Sequence, residues 1–230
     1  MKQPDKRLCA AAELVRQGAV FADIGTDHAL LPVFLCKTGK VTRAVAADIN
    51  EGPLAAAKAQ VTAENLTSLI DLRLTDGLTG LEGEGITDIA ICGMGGELIV
   101  SILARAPFVK DSRIRLILQP MTHAADLRRY LAEEGFRIVE ERTVYASGKC
   151  YFCFAAEYTG VPYAITRPEA AFGRIEGDPS EALLDLIRKE IRAVGKKCRG
   201  LRAGGIPDEA EEEYLFALCA ILKEYENDGK

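Results

Sequence analysis

The sequence predicts an α/β fold, in which a mostly parallel sheet ends in an antiparallel hairpin and is followed by two C-terminal helices. About the first 158 residues alternate short apolar runs with segments of helical periodicity, which is typical of a parallel sheet. The last two apolar runs of this part are separated only by Ala146-Ser147-Gly148. So short a connection makes neighbouring strands antiparallel.

Seven strands are predicted, at Ala19–Ile24, Val41–Ala47, Leu69–Leu74, Ile86–Ile91, Arg113–Leu118, Phe136–Tyr145 and Lys149–Tyr158. A helix is expected after the turn that follows the first strand. Gly52-Pro53 opens another helix, because proline is tolerated in a first turn. A further helical segment follows Gly96, and Thr122 is predicted to cap a helix that ends at Gly135.

The C-terminal part predicts an antiparallel helical hairpin. Thr159 to Pro179 contains several glycines and prolines and indicates a connector. Apolar residues then recur every three or four positions from Leu183 to Leu201, and again from Tyr214 to Tyr225. Gly204-Gly205-Ile206-Pro207 separates the two helices. We therefore expect two domains, residues 1–160 and residues 161–230, the second of them a coiled coil.

Composition excludes several classes of protein. The 230 residues are 48% hydrophobic, and no apolar run approaches the ~20 residues of a membrane helix. The N-terminus lacks the apolar core of a secretory signal, so a cytoplasmic protein without a membrane partner is expected. Seven irregularly spaced cysteines favour reduced thiols. Cys150 and Cys153 have no second pair of cysteines beside them, so no metal is expected. A monomer is expected, although the sequence leaves the oligomeric state open.

The segment that follows the first strand is the most informative part of the chain. Asp23-Ile24-Gly25-Thr26-Asp27-His28 lies between a strand and a helix, where glycine permits a sharp turn and a helix N-terminus offers free N–H groups. Asp48 closes the second apolar run, at the position where nucleotide-binding α/β folds bind a ribose. The pattern predicts an enzyme that uses a nucleoside cofactor.

A second group of charges lies near the C-terminus. Between Arg188 and Arg202 there are seven basic residues and one acidic residue, although the whole chain carries a formal charge of −5. This local excess indicates a surface for nucleic acid, whereas the alternative is a solvated helix face that pairs with the acidic second helix. The predicted RNA-binding residues are Arg188, Lys189, Arg192, Lys196, Lys197 and Arg199.

Several motifs occur in an order that resembles one known family. They are Asp23-Ile24-Gly25-Thr26-Asp27-His28-Ala29-Leu30-Leu31-Pro32, Gly52-Pro53, Asp76-Gly77-Leu78, Gly93-Met94-Gly95-Gly96 and Leu118-Gln119-Pro120. Together they resemble the bacterial tRNA (adenine-22-N1)-methyltransferases, from about Arg7 to about Phe172. The resemblance implies a Rossmann-like domain that binds S-adenosyl-L-methionine, a coiled-coil C-terminal domain, and methylation of N1 of an adenine in tRNA.

The resemblance and the motifs together predict the site residues. The expected cofactor-binding residues are Asp23, Gly25, Thr26, Asp48, Asp76, Gly77, Gly93, Met94 and Gly95. Asp27 and His28 are the catalytic candidates, because methylated adenine is a cation until its exocyclic amine loses a proton. A structural or cofactor-binding role stays open for both. Thr26 stands where the family usually has serine, and Asp48 stands where glutamate is common.

Three other functions are considered. A small-molecule methyltransferase would share the fold, but it would not need the basic C-terminal segment. A nicotinamide-linked oxidoreductase is disfavoured by the closing hairpin and by the missing second glycine of the first loop. A non-catalytic RNA-binding protein would fail to bind S-adenosyl-L-methionine.

Overall fold

Seven strands form one sheet within residues 4–175 and 179–227, the part of the chain that the computed structural model describes. The sheet order is β3-β2-β1-β4-β5-β7-β6, with β1 to β5 parallel and β7 antiparallel to both β5 and β6. The strands are β1 (Ala19–Ile24), β2 (Val41–Asp48), β3 (Ile70–Leu74), β4 (Asp88–Gly95), β5 (Arg115–Thr122), β6 (Phe136–Ala146) and β7 (Lys149–Tyr158).

Helices connect the strands and form the C-terminal part of the chain. They are α1 (Lys6–Leu14), α2 (Leu30–Lys37), α3 (Glu51–Ala63), α4 (Gly96–Ala104), α5 (Ala124–Glu133), α6 (Arg167–Phe172), α7 (Glu181–Ala203) and α8 (Glu209–Asn227), with a short 3-10 helix at Pro107–Val109. The predicted fold class, a Rossmann-like sheet with a closing hairpin and C-terminal helices, is confirmed.

The central strands form where consecutive residues are apolar, so that side chains on both faces of the sheet are buried. Phe21 and Ala22 of β1, and Ile89 and Ala90 of β4, are completely buried. Strands of a parallel sheet that is covered on both faces have such continuous apolar runs. This explains why the predicted first strand matches β1 residue for residue. The strand β4 begins two residues later than predicted and continues through Gly95.

The chain divides into two compact units, Met1–Ala164 and Ile165–Lys230. Within the second unit, α7 and α8 are antiparallel, because the end of α7 contacts the beginning of α8. Lys197 pairs with Glu211 at 2.8 Å, and Arg202 pairs with Glu212 at 2.7 Å. The predicted helical hairpin is therefore present in this unit.

Three local expectations were incomplete or wrong. The helix α1 was not predicted; Asp5 caps it by accepting hydrogen bonds from the N–H groups of Arg7 and Leu8. Thr122 does not cap α5, because it is the last residue of β5 and the capping position belongs to His123, whose side chain makes no cap. The predicted connector contains α6, which begins with a capping box. Residues 176–178 of this connector lie outside the described part of the chain.

The sheet topology defines where a ligand would bind. The strand order changes direction between β1 and β4, because β1 lies between β2 on one side and β4 on the other. In open α/β sheets, ligands bind in the crevice beyond the carboxyl ends of the strands at such a switch point. The carboxyl ends of β1 and β4, together with the loop after β1, carry most of the predicted cofactor-binding and catalytic residues.

Candidate active site

The loop after β1 is held against the end of β2. The N–H groups of Gly25 and Thr26 both donate to the carbonyl of Ala47, at 2.8 and 2.9 Å. Gly25 has a φ of +74°, which an L side chain rarely adopts. Thr26 is completely buried, and its hydroxyl donates to Asp23 Oδ2 at 2.7 Å. These bonds fix the Asp23 carboxylate at the carboxyl edge of the sheet.

The Asp23 carboxyl is buried among apolar strands. Its pKa is raised to about 6, mainly by burial and also by the nearby negative charge of Asp48, whereas the Thr26 hydrogen bond lowers it. A carboxylate in such a place is costly to keep charged, so a bound cation would stabilise it.

Asp27 and His28 stand at the exposed end of the same loop. The Asp27 side chain is 83% exposed, and its Oδ1 lies 3.4 Å from His28 Nε2. His28 and the following Ala29 both have left-handed backbones, with φ of 57° and 52°. Non-glycine residues in this region carry strain of about 1–3 kcal/mol, which is often found at functional sites.

The end of β4 packs directly on this loop. A Cβ atom on Gly25 would lie 2.1 Å from Met94 Cε, so the methionine methyl occupies the space above the glycine. Gly93 has a φ of +79°, and the position that a Cβ atom would take there is open. Gly96, the first residue of α4, approaches the carbonyl of His123, where a Cβ would lie 2.3 Å from the oxygen.

These loops border a cavity of about 460 Å³. Five predicted site residues line it: Asp23, Gly25, Asp27, Gly93 and Met94. Cys92 and Gln119, at the ends of β4 and β5, line it as well, together with Leu30 and Leu31 of α2. The cavity lies at the switch point of the sheet, where the topology places a ligand.

The other predicted cofactor-binding residues lie outside this cavity. Asp48 ends β2 next to the Asp23 loop, and its Oδ1 accepts a hydrogen bond from the N–H of Asn50 at 2.8 Å. Asp76 forms a two-pronged ion pair with Arg105, at 2.6 and 3.1 Å. That guanidinium lowers the pKa of Asp76. Thr26 and Gly95 are close to the cavity through their neighbours in sequence, and Gly77 packs against Ile102.

One wall of the cavity was not predicted from the sequence. Asp5, Arg7 and Leu8, at the beginning of α1, all line it. Their signal was an aspartate that follows a proline, with apolar residues at helical spacing behind it, which indicates a capped helix. The polar first residues obscured this pattern.

The predicted RNA-binding residues divide into two groups on α7. Arg188 pairs with Glu181 and Asp185, and Lys197 pairs with Glu211. In the described residues, no carboxylate pairs with the remaining four, and all of these are exposed. They are Lys189, Arg192, Lys196 and Arg199, and their spacing of three, four and three places them on one face of the helix. We call these four residues the basic stripe.

In the part of the chain that the structure describes, no three His, Cys, Asp or Glu residues are grouped so that they could hold a metal ion. None of its helices is both long enough and apolar enough to cross a membrane. All seven cysteines are free thiols.

Comparisons with known proteins agree with this geometry. Residues 5–154 match the family model described as a methyltransferase domain. The tRNA (adenine(22)-N(1))-methyltransferase of Bacillus subtilis is 41% identical over 152 residues, which cover 66% of this chain. The chain spans 64% of the length of that enzyme in the alignment.

Two solved structures share the fold over nearly the whole chain. The B. subtilis m1A22 tRNA methyltransferase TrmK has a TM-score of 0.74 and 30% identity, and 98% of each chain is covered. Streptococcus pneumoniae Sp1610 in complex with S-adenosyl-L-methionine has a TM-score of 0.79 and 31% identity, with 96% of this chain and 98% of that chain covered. The chain therefore belongs to the methyltransferase-domain family, and its resemblance to the tRNA (adenine-22-N1)-methyltransferases is confirmed.

Proposed function

We propose that this protein transfers a methyl group from S-adenosyl-L-methionine to N1 of an adenine in tRNA, at position 22. The observation that carries the proposal is the cavity at the switch point, which joins the Asp23–Asp27 loop to Gly93 and Met94. It is supported by the B. subtilis relative, which is named for this reaction, and by the S-adenosyl-L-methionine complex of Sp1610.

The residues of the site fit this cofactor. Asp23 provides a buried carboxylate for a cationic ligand, and Met94 can pack against the loop because Gly25 has no side chain. Asp48, at the end of β2, is proposed to bind the ribose hydroxyls, since charge-assisted bonds of this kind are worth about 1.5–3 kcal/mol. Asp76 and Gly77 are proposed to contact the adenine ring. The cofactor supplies an electrophilic methyl group on sulfur.

The chain's own residues then act on the target base. Adenine N1 carries a lone pair, so its alkylation needs alignment more than proton removal. The methylated ring is cationic until its exocyclic amine loses a proton. We propose that the Asp27 carboxylate stabilises this charge and accepts the proton, and that His28, 3.4 Å away, passes it to solvent.

The target base must leave the RNA stack to reach the cavity. Unstacking costs a few kcal/mol, and contacts to the base and the backbone must supply this energy. We propose that residues 1–160 form the catalytic domain and that residues 161–230 hold the tRNA body. The basic stripe is about 15 Å long, and its exposed cations suit a row of phosphates. A cytoplasmic location is proposed with this substrate.

One experiment tests the proposal. Unmodified tRNA transcripts are incubated with the protein and labelled S-adenosyl-L-methionine, and their nucleosides are analysed by mass spectrometry. We expect labelled N1-methyladenosine, and its loss when position 22 is changed from adenine. Label in a small metabolite would favour the small-molecule methyltransferase, and failure to bind the cofactor at millimolar concentration would favour a non-catalytic RNA-binding protein.

A further inference from the structure

Gln119 is a buried polar side chain in the wall of the cavity. It lies toward the carboxyl end of β5, opposite Cys92 of β4, and only 1% of it is exposed. An amide has two N–H donors and one carbonyl acceptor, and leaving these groups without partners in a buried position costs free energy. The hydrogen-bond partners of this amide therefore indicate which ligand it would bind.

The nitrogen of the Gln119 amide is already used within the protein. Its Nε2 donates to the carbonyl oxygen of Pro120 at 3.0 Å and lies 3.7 Å from Met121 Sδ. A reversed amide would place its carbonyl oxygen against the Pro120 carbonyl, and two acceptors repel each other. Pro120 therefore fixes the orientation of the amide.

The oxygen of the same amide is left for a ligand. None of the residues that the structure describes donates a hydrogen bond to Gln119 Oε1. Because Gln119 lines the cavity, this oxygen is a fixed acceptor that a ligand can reach. The ligand group that it suits is an N–H or O–H donor.

The position of Gln119 in the sheet separates it from the proposed cofactor contacts. Asp48 ends β2 and Asp76 follows β3, whereas β5 lies on the other side of β1, with β4 between them. Neighbouring strands are about 4.8 Å apart, so β5 is about 10 Å from β1. A nucleoside that is bound over β2 and β3 leaves the β5 side of the cavity to the base that receives the methyl group.

The target adenine carries the donor that Gln119 needs. Its exocyclic amine is on C6, next to N1, so a bond to this amine would also position N1. Guanine has an oxygen acceptor on C6, which would meet the lone pairs of Gln119 Oε1. The amine has two hydrogens, so Asp27, which lines the same cavity, can take one while Gln119 binds the other.

The ammonium group of the proposed cofactor is a second N–H donor, but a charged partner suits it better. The Asp23 carboxylate lines the same cavity and is buried. A carboxylate forms charge-assisted bonds with an ammonium, which are about twice as strong as bonds to a neutral amide. The neutral Gln119 amide is therefore better matched to the neutral amine of a base.

We propose that Gln119 Oε1 accepts a hydrogen bond from the exocyclic amine of the target adenine and selects adenine over guanine. The inference rests on the proposed function, because it takes the target base from there. It adds a specificity-determining residue on β5 to a site whose other proposed residues bind the cofactor or move a proton.

Binding of tRNAs that differ in one base tests the proposal without turnover. The tRNAs are assembled from synthetic RNA with adenine, or with purine, which lacks the amine, at position 22, and S-adenosyl-L-homocysteine occupies the cofactor site. We expect the preference for adenine over purine to be about 3- to 10-fold smaller in Gln119→Leu than in the wild type. A guanine-22 tRNA should bind Gln119→Leu more tightly than it binds the wild type, because the facing acceptor is removed.

Gln17→Leu is the matched control. Gln17 is exposed, its Nε2 also donates to a backbone carbonyl, that of Gly39 at 2.9 Å, and it does not line the cavity. We expect this variant to keep the wild-type preference for adenine. If Gln119→Leu melts at a lower temperature than the wild type, Gln119→Met, which is unbranched and similar in volume to glutamine, repeats the comparison with the same expected result.

Three results would overturn the proposal. Equal weakening of adenine-22 and purine-22 tRNA would show that Gln119 only supports the local fold, and an unchanged preference would show no contact with the amine. Weaker binding of S-adenosyl-L-methionine to Gln119→Leu, measured by calorimetry without RNA, would show that the amide binds the cofactor instead. A wild-type protein that neither binds nor methylates tRNA would refute the proposed function itself.

Discussion

Asp27 and Asp23 lie four residues apart, yet their surroundings suit them to different proposed roles. Asp27 is solvent-exposed at the cavity mouth, whereas Asp23 is buried and held by Thr26. An exposed carboxylate exchanges protons readily with water, which suits a group that accepts a proton from the base. A buried carboxylate gains more from a bound cation.

Replacing Asp27 should separate catalysis from binding. We expect Asp27→Asn to lower kcat by about 10²- to 10⁴-fold, the usual contribution of a general base, and to leave cofactor affinity nearly unchanged. Single-turnover kinetics and calorimetry measure the two quantities. Asp126→Asn, at an exposed carboxylate outside the cavity, is the control. Loss of cofactor binding in Asp27→Asn would make this residue a ligand contact.

The raised pKa of Asp23 predicts a pH dependence of stability. The unfolded carboxyl loses its proton near 3.8 and the folded one near 6, so the folded protein holds more protons between these values. The free energy of unfolding of the ligand-free protein therefore falls as the pH rises through this window, by at most about 3 kcal/mol.

Asp23→Asn should remove this dependence. The amide keeps an acceptor for the Thr26 hydroxyl but does not titrate. We expect the variant to unfold at higher urea concentration than the wild type at about pH 7.5, with little difference at about pH 4. Parallel pH profiles of the two proteins would assign the dependence to another group.

Contacts between residues that lie far apart in the sequence could not be predicted from it. The Asp76–Arg105 ion pair and the Arg7–Met121 contact join residues 29 and 114 positions apart. Such pairs depend on the packing of whole helices, which periodicity does not encode. Gly25, Asp23 and Gly93 were predictable because each lies at the end of an apolar strand, and parallel strands bring their ends together.

At the scale of elements, Met94 near the end of β4 packs against Gly25 in the loop after β1. Gly25→Ala would place a Cβ against Met94 and would also force an L side chain into a left-handed backbone. Gly18 has a similar φ, +78°, with nothing within 4 Å of its Cβ position. Comparing the two alanine variants therefore separates backbone strain, which both share, from the contact with Met94, which only Gly25→Ala creates.

We expect Gly18→Ala to lower the free energy of unfolding by about 1–2 kcal/mol, and Gly25→Ala to lower it slightly further, because the flexible Met94 side chain must move aside. Met94→Ala should recover part of the additional loss in the Gly25→Ala background, because it removes the atoms that collide. Chemical unfolding of the single and double variants measures the coupling. Additive effects would mean that Met94 moves away at no cost.

The elements themselves differed in how well they could be predicted. Buried parallel strands have continuous apolar runs, so all seven strands were located within a few residues. The helix α1 was not predicted because its first residues are polar and its central residues are three alanines, Ala10 to Ala12, which give a weak amphipathic signal. The helix α6 is only six residues long and lies among prolines and glycines.

At the scale of the whole molecule, net charge and local charge point to different partners. The chain is acidic overall, but α7 presents the basic stripe on one exposed face. Six basic residues of α7 were predicted from the sequence to bind RNA. Arg188 and Lys197 are neutralised by carboxylates within the same unit, which a count of charges does not reveal.

Neighbouring lysines of α7 provide a matched test of RNA binding. We expect Lys196→Gln to weaken tRNA binding and to reduce the slope of log K against log salt by about 0.7–0.9, as one phosphate contact is lost. Lys197→Gln removes the same charge from a residue that already pairs with Glu211, so its effect should be smaller. Titrations at two or more salt concentrations measure both slopes. Equal slopes for the two variants would argue against the basic stripe.

The two consecutive left-handed residues, His28 and Ala29, also restrict which sequences this loop can accept. Glycine, asparagine and aspartate tolerate such a backbone, whereas valine, isoleucine and threonine add a steric penalty. Mutational tolerance at these positions is therefore set by chain geometry as well as by chemistry. Libraries that diversify the loop to alter its substrate range should be restricted to the tolerated residues at these two sites.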